Sequence, residues 1–194
     1  PDLAGFRDAL SANGIYPQLI NSVVVAVCTT IASVACGVLA AYAFSRFEFV
    51  GRRTLMLGLL ATRLLPPFSA VVPLYLLASD LDLIDSRTIL VVIYTALNIP
   101  FATWLLKSYI DAVPREIEES AAIDGCGSLR TIVRITMPLI APGLVATGIF
   151  VFFLAWNEFM FAYMFTTVSA RTMPVVLAEA RGGEQVLWQT LTAQ

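Results

Sequence analysis

The chain has 194 residues, 58% of them hydrophobic and 13% charged, where a soluble domain carries about 25% charged residues. That deficit, a mean hydropathy of +0.81 and apolar residues blocked into long runs exclude a soluble globular enzyme and put the chain in the membrane class. The net charge of −2 predicts no attraction to nucleic acid, and the absence of histidine removes the commonest general base and metal ligand.

Residues 1–18 read as a mixed interfacial segment, with Gly14 and Pro17 as breakers. No cleavable signal peptide is visible, because Asp2, Arg7 and Asp8 precede a run too long for one. Leu19 to Phe44 is the first span, 26 residues without a charge. At 1.5 Å per residue that is roughly 39 Å, enough for a core of about 30 Å with some tilt. Asn21, Ser22, Thr29, Thr30 and Ser33 add small polar groups, and Ala32, Cys36 and Ala40 form a small-residue stripe at spacing four, a combination suited to helix packing. Cys28 and Cys36 fall in this run and Cys126 in a later polar stretch, which predicts buried small side chains rather than a disulfide or metal site.

Arg46, Arg52 and Arg53 follow at once, joined by a tight link, 47–51, that includes Glu48. The second span covers about 55–77 and contains Arg63, Pro66, Pro67 and Pro73, so it must be kinked or discontinuous. After the short acidic turn 79–87, the third span covers 88–106, with Asn98 and Pro100 as an internal break. The fourth covers 139–165, interrupted by Pro142, Gly143 and Gly148 and carrying Asn157 and Glu158. Residues 166–186 are polar and turn-rich, and 187–194 resemble the start of a further helix. A chain that begins without Met and stops at Gln194 is expected to be an excerpt of a longer protein.

Between the third and fourth spans lies the longest polar island, Pro114 to Pro138, within the loop 107–138. Pro114 suits a first helical position, and Glu116, Glu118 and Glu119 suit a helix N-terminus. Gly125 and Gly127 predict a break, after which Ser128 can cap a second short helix with Leu129, Ile132, Val133 and Ile135 on its apolar side. If the island is cytoplasmic, the inside segments hold seven basic residues (Arg46, Arg52, Arg53, Lys107, Arg115, Arg130, Arg134) and the outside segments four (Arg7, Arg87, Arg171, Arg181). That bias supports the island being inside.

Glu119-Ser120-Ala121, three residues, Gly125, nine residues, then Ile135-Thr136-Met137-Pro138 is similar to the EAA motif of permease subunits of ABC importers. Serine replaces the first alanine of the family pattern and methionine its leucine. Asn21-Ser22, the run from Ala41 to Arg46, Val72-Pro73-Leu74-Tyr75, Pro100-Phe101, Trp156-Asn157-Glu158-Phe159 and Thr172-Met173-Pro174-Val175 resemble the carbohydrate branch, the maltose permease G protein family (MetI-like). The resemblance covers nearly the whole chain.

It implies an all-α, polytopic membrane bundle of four full transmembrane helices, the start of a fifth and a cytoplasmic coupling helix, all in one permease domain, 1–194. It also implies a sister permease subunit, an ATP-binding cassette ATPase dimer and an extracytoplasmic solute-binding protein, in the lipid bilayer of a bacterial or archaeal inner membrane. No cofactor is expected in this chain. There is no GxxxxGK[ST] phosphate loop, so ATP and Mg belong to the ATPase. The ATPase-coupling residues implied are Glu118, Glu119, Ser120, Ala121, Ala122, Asp124 and Gly125, with an ordinary amphipathic helix on the membrane surface as the alternative.

Arg63 is either a translocation-path residue or one that snorkels or caps carbonyls freed by Pro66 and Pro67. Its pairing with Glu158 is disfavoured, because the two lie at different depths. Asn98, Asn157 and Glu158 are further path candidates, the last two set against a satisfied helix–helix hydrogen bond. Trp156, Phe159, Phe161, Tyr163 and Phe165 read as an interface belt in preference to sugar-stacking platforms. The resemblance places Arg181, Gly182, Gly183 and Glu184 where the binding protein would touch, with the glycine pair as a flexible tip. The cargo implied is a sugar; a polyol, glycerol phosphate or osmolyte is the alternative, and a secondary transporter or channel lacks the filter or repeats it needs.

Overall fold

The computed structural model describes residues 16–64 and 66–182, which form helices and turns with no strand among them. In chain order these are α1 (Tyr16–Arg46), α2 (Arg52–Ala61), a 3₁₀ turn (Thr62–Leu64), α3 (Pro67–Asp80), α4 (Arg87–Asp111), α5 (Arg115–Ile123), α6 (Ser128–Thr131), a π-type turn (Ile132–Thr136), α7 (Met137–Leu139), α8 (Ala141–Trp156), α9 (Met160–Phe165) and α10 (Met173–Gly182). By length and composition α1 and α4 can each cross a membrane, and two broken pairs, 52–64 with 68–80 and 128–139 with 141–156, bring the count to as many as four. The second pair bends by 84° at its break.

Several expected boundaries move. Pro17 does not break α1, which begins at Tyr16; in a first helical turn proline forfeits no internal hydrogen bond. Pro100 does not interrupt α4, which runs unbroken to Asp111. The fourth span continues through Gly143 and Gly148 and breaks at 157–159 instead. The stretch after 172 is helical, because Pro174 sits in the first turn of α10, where it favours helix entry. The expected helix at 187–194 and most of the interfacial segment 1–18 lie outside the described residues.

The described residues form two compact units, 16–28, 68–93 and 154–182 in one, 29–67 and 94–153 in the other. In the first, Val25, Leu90, Phe161, Phe165 and Val175 are buried to 1% exposure or less. Phe161 and Phe165 are therefore core and not interface belt, whereas Phe159 and Tyr163 stack on each other at the surface, ring centroids 5.4 Å apart. In the second, Val38, Ala41, Tyr42, Leu106, Ile110, Val113, Ile132 and Ile140 make one apolar cluster.

The packing stripe of α1 is Val25, Thr29, Ser33, Gly37, Ala41 and Ser45, all buried at spacing four. This is one register away from the expected Ala32, Cys36 and Ala40, and it turns Cys28 and Cys36 outward as exposed free thiols. Small residues here let helices close up: a Cβ on Gly37 would stand 2.9 Å from Ala102 Cβ, and one on Gly143 would run into the Tyr109 ring.

Candidate functional site

The polar island folds as expected at its break and differently at its second helix. Pro114 precedes α5 with ψ 133°, and Glu116 and Glu118 occupy the first turn. At the far end Gly125 has φ +81°. The Cys126 N–H donates to the Ala121 carbonyl at 2.9 Å and the Gly125 N–H to that of Ala122 at 3.0 Å, a glycine-closed helix end. Ser128 makes no side-chain cap; Gly127 precedes α6 in extended backbone. Of the four residues assigned to the apolar side, Ile132 is buried while Leu129 and Val133 are 67% and 55% exposed. The π-type turn, whose extra residue per turn rotates the helix face, displaces the simple period.

Glu118 does not point outward with its neighbours. Its carboxylate is buried, and Oε2 accepts from Arg46 Nε at 2.9 Å and from the Tyr42 hydroxyl at 3.1 Å. Oε1 accepts from Arg46 Nη2 at 3.1 Å and from the Thr136 hydroxyl at 3.0 Å. The same Nη2 donates to the carbonyls of Ile110 and Val113 at 3.0 and 2.9 Å, at the end of α4. Arg115 adds a bond to the Ser45 carbonyl at 3.1 Å, and the Ser45 hydroxyl donates to Asp111 at 2.6 Å. A bidentate guanidinium–carboxylate pair, its carboxylate also taking two hydroxyl donors, thus joins α1, α4, α5 and the π-type turn.

The rest of α5 is split by face. Ala121 is buried, so its small side chain serves approach to the chain's own core. Glu119, Ser120, Ala122, Asp124 and Gly125 are exposed, and Ile123 is 87% exposed beside them. Ser120 returns its hydroxyl to the Glu116 carbonyl at 2.8 Å, so replacing the family alanine leaves no polar group seeking a partner.

Two of the path candidates meet. Arg63, in the 3₁₀ turn, donates to Asn98 Oδ1 at 3.0 Å, and its guanidinium lies 5.4 Å from the Phe101 ring centre. Asn98 is buried and its amide nitrogen donates to the Tyr94 carbonyl at 2.8 Å. Sequence reasoning singled out both residues without pairing them, although an arginine in a span wants a carbonyl oxygen of this kind.

Asn157 and Glu158 sit at the break between α8 and α9. Glu158 accepts from the N–H groups of Phe161 and Ala162 at 3.1 and 3.3 Å, covering the open start of α9. Asn157 lines a cleft of about 420 Å³ with Trp156, Phe159, Met173 and Pro174. Arg181 and Gly182 are the last described residues of α10, so Gly182 is helical backbone; Gly183 and Glu184, and with them the expected flexible tip, lie outside the described residues.

Sequence reasoning missed a fastening in the same unit. Asp85, with φ +57°, accepts backbone N–H bonds from Thr167, Val168, Ser169 and Ala170 at 2.9–3.2 Å. Burial disfavours the charged carboxylate, but the N–H donors of Ser169, Ala170, Thr167 and Val168 outweigh it and hold Asp85 well below the usual carboxylate range. Asn21 accepts from Arg87 at 2.7 Å and donates to the carbonyls of Ser169 and Arg171 at 2.9 and 2.8 Å. Beside it, the Ser22 hydroxyl receives the Met173 N–H at 2.7 Å. The Asn21-Ser22 pair was the visible signal, but its partners lie 66 to 151 positions away.

The model of the family described as "Binding-protein-dependent transport system inner membrane component" matches residues 33–190. The chain belongs to that family. The permease is 37% identical over 193 residues to the probable ABC transporter permease protein y4oR of Sinorhizobium fredii, covering 100% of this chain and 69% of that protein. It is also 37% identical over 177 residues to the trehalose/maltose transport system permease protein MalG of Thermococcus litoralis, covering 90% of this chain and 64% of the relative. In fold the permease matches a crystal structure of a bacterial ABC transporter involved in the import of the acidic polysaccharide alginate, with TM-score 0.74, 22% identity, and coverage of 92% of this chain and 63% of the other. It therefore spans about two thirds of the length of these proteins.

Proposed function

We propose that this chain is one transmembrane subunit of a binding-protein-dependent importer for a sugar, and that α5 with its exposed tip receives the ATPase. ATP and Mg are handled by that ATPase dimer, and the permease does no catalysis itself. A sister permease completes the path, and an extracytoplasmic binding protein delivers the solute on the side of 166–186, the stretch that includes Arg181, Gly182, Gly183 and Glu184. The setting is a bacterial or archaeal inner membrane, with the polar island on the cytoplasmic side.

The observation that carries the coupling role is the inward Glu118 beneath an outward Glu119–Gly125 face. A helix moved by another subunit transmits that motion only if its base is fixed to the spans, and the Arg46 fork fixes it. An amphipathic helix lying on the bilayer wants a basic polar face, whereas the exposed face of α5 carries Glu116 and Glu119 against Arg115. The sugar cargo is supported by the relatives named for trehalose, maltose and sulfoquinovosyl glycerol. In this reading Asn157 contributes to the solute path beside its aromatic cleft, Arg63 and Asn98 form a paired polar step, and Glu158 keeps the break in shape.

The test is co-purification of the full-length permease with an ATPase and a sister permease, followed by ATP-driven sugar uptake in vesicles. Glu119→Lys and Gly125→Pro should lose the ATPase while retaining the sister subunit. Sugar transport by the full-length protein alone, without ATP, would contradict the reading.

A further inference from the structure

At the end of α1 the chain turns through 47–51 into α2, and this corner combines cationic and apolar side chains. Phe44, Met56 and Leu57 line a cleft of about 420 Å³ together with Arg52, Arg53 and Lys107. No carboxylate lines it. Lys107 is paired with Asp111, whereas among the described residues Arg52 and Arg53 make no ion pair. Glu48 lies in the same link but outside the cleft lining. Arg53 is exposed and Arg52 half-buried.

The surroundings are apolar to a degree that water alone would not favour. Phe47, Phe49, Val50 and Leu55 are 51%, 40%, 102% and 58% exposed around the corner. These side chains lie at the polar end of a helix long enough to cross the membrane, where hydrocarbon gives way to headgroups. The start of α2 adds backbone N–H groups that no side chain caps, and Gly51, with φ +83°, leaves open space where a Cβ would stand.

The geometry points to a binding site for an anionic phospholipid in this cleft. The phosphate sits among Arg52, Arg53 and Lys107, and an acyl chain lies along Phe44, Met56 and Leu57. Charge complementarity selects an anion, and the apolar floor selects one that carries a hydrocarbon tail. A soluble phosphate would use the cations and leave the floor bare. Held there, the lipid would brace the α1–α2 corner, which the 47–51 link joins directly to the Arg46 anchor.

Native mass spectrometry on the full-length permease, purified with the subunits that accompany it, tests this with phosphatidylglycerol and phosphatidylcholine as the two probes. The wild type should retain phosphatidylglycerol at least ten-fold better than phosphatidylcholine through stepwise activation. The Arg52→Gln/Arg53→Gln/Lys107→Gln variant should lose that preference, and the single surface change Arg53→Glu should weaken it if the triple variant fails to fold. Met56→Glu should reduce retention with all three cations intact, which separates a lipid site from a bare anion site. Equal retention of the two lipids, an unchanged preference in the variants, or displacement of phosphatidylglycerol by inorganic phosphate at equal concentration would overturn the proposal. So would the lack of any bound lipid because another subunit covers the corner.

Discussion

Arg46 and Glu118 stand 72 positions apart in the chain and form a buried pair, Nε to Oε2 at 2.9 Å, with both side chains 9% exposed. Each end of the pair belongs to a different part of the permease, so the bond is where the surface helix α5 is tied to the membrane helices. Buried ion pairs add little net stability over an apolar substitute, but removing one partner strands the other.

Glu118→Ala or Arg46→Ala should therefore destabilise the permease by about 3–5 kcal/mol, the usual effect of leaving an uncompensated buried charge. The double change Arg46→Met/Glu118→Leu should recover much of that loss. Thermal unfolding in detergent reads the stability, and uptake in vesicles should stay low in all three because the tie is gone.

Gly125 holds φ +81° at the end of α5. A Cβ there meets no neighbour, so the cost of Gly125→Ala is conformational, about 1–2 kcal/mol. Gly125→Asn should cost less, because asparagine tolerates the left-handed region. Protease sensitivity of the 124–128 turn, ordered Gly, Asn, Ala, checks this.

Asp85 fastens the 167–170 turn through its charged carboxylate. Its carboxyl is held below its ordinary value of 3.8, so its contribution is fully present above that ordinary value and is lost only as pH falls through the lower folded value. The amides of Thr167 to Ala170 should exchange slowly and at pH-independent protection between about pH 5 and 8. Asp85→Asn should raise their exchange at every pH in that range, without touching the polar island.

Gly37→Ala and Gly143→Ala should both destabilise the second unit, by about 1–3 kcal/mol each. The first presses on the Ala102 Cβ at 2.9 Å, and the second presses more closely on Tyr109 Cγ, the root of the ring, which rotation about the ring axis does not move. The loss should accordingly be larger at Gly143, read as a drop in detergent unfolding temperature.

What was legible in the sequence follows from what is local. Uncharged length gave α1, and the glycine at 125 gave the end of α5, because both are set by the chain's own backbone and solvent. The face of α1 was not legible: stripes 32-36-40 and 25-29-33-37-41-45 are both small, and only the neighbouring helix decides between them. Nor could spacing say which of Glu116, Glu118 and Glu119 turns inward, since that choice is made by Arg46. Asp85 was invisible for the same reason, its partners lying 82 to 85 positions away. The continuity of α4 through Pro100 shows the opposite error, a local rule overridden by packing that keeps the helix whole.

The most direct measurement is photo-crosslinking in cells, with a photoreactive residue at position 119 or 123 of the full-length permease. A permease–ATPase adduct from both positions, and none to the ATPase from the exposed Val168 outside the polar island, is the result expected of a docking face on α5. Adducts to lipid alone, or adducts to the ATPase from position 168 as readily as from 119 and 123, would contradict it.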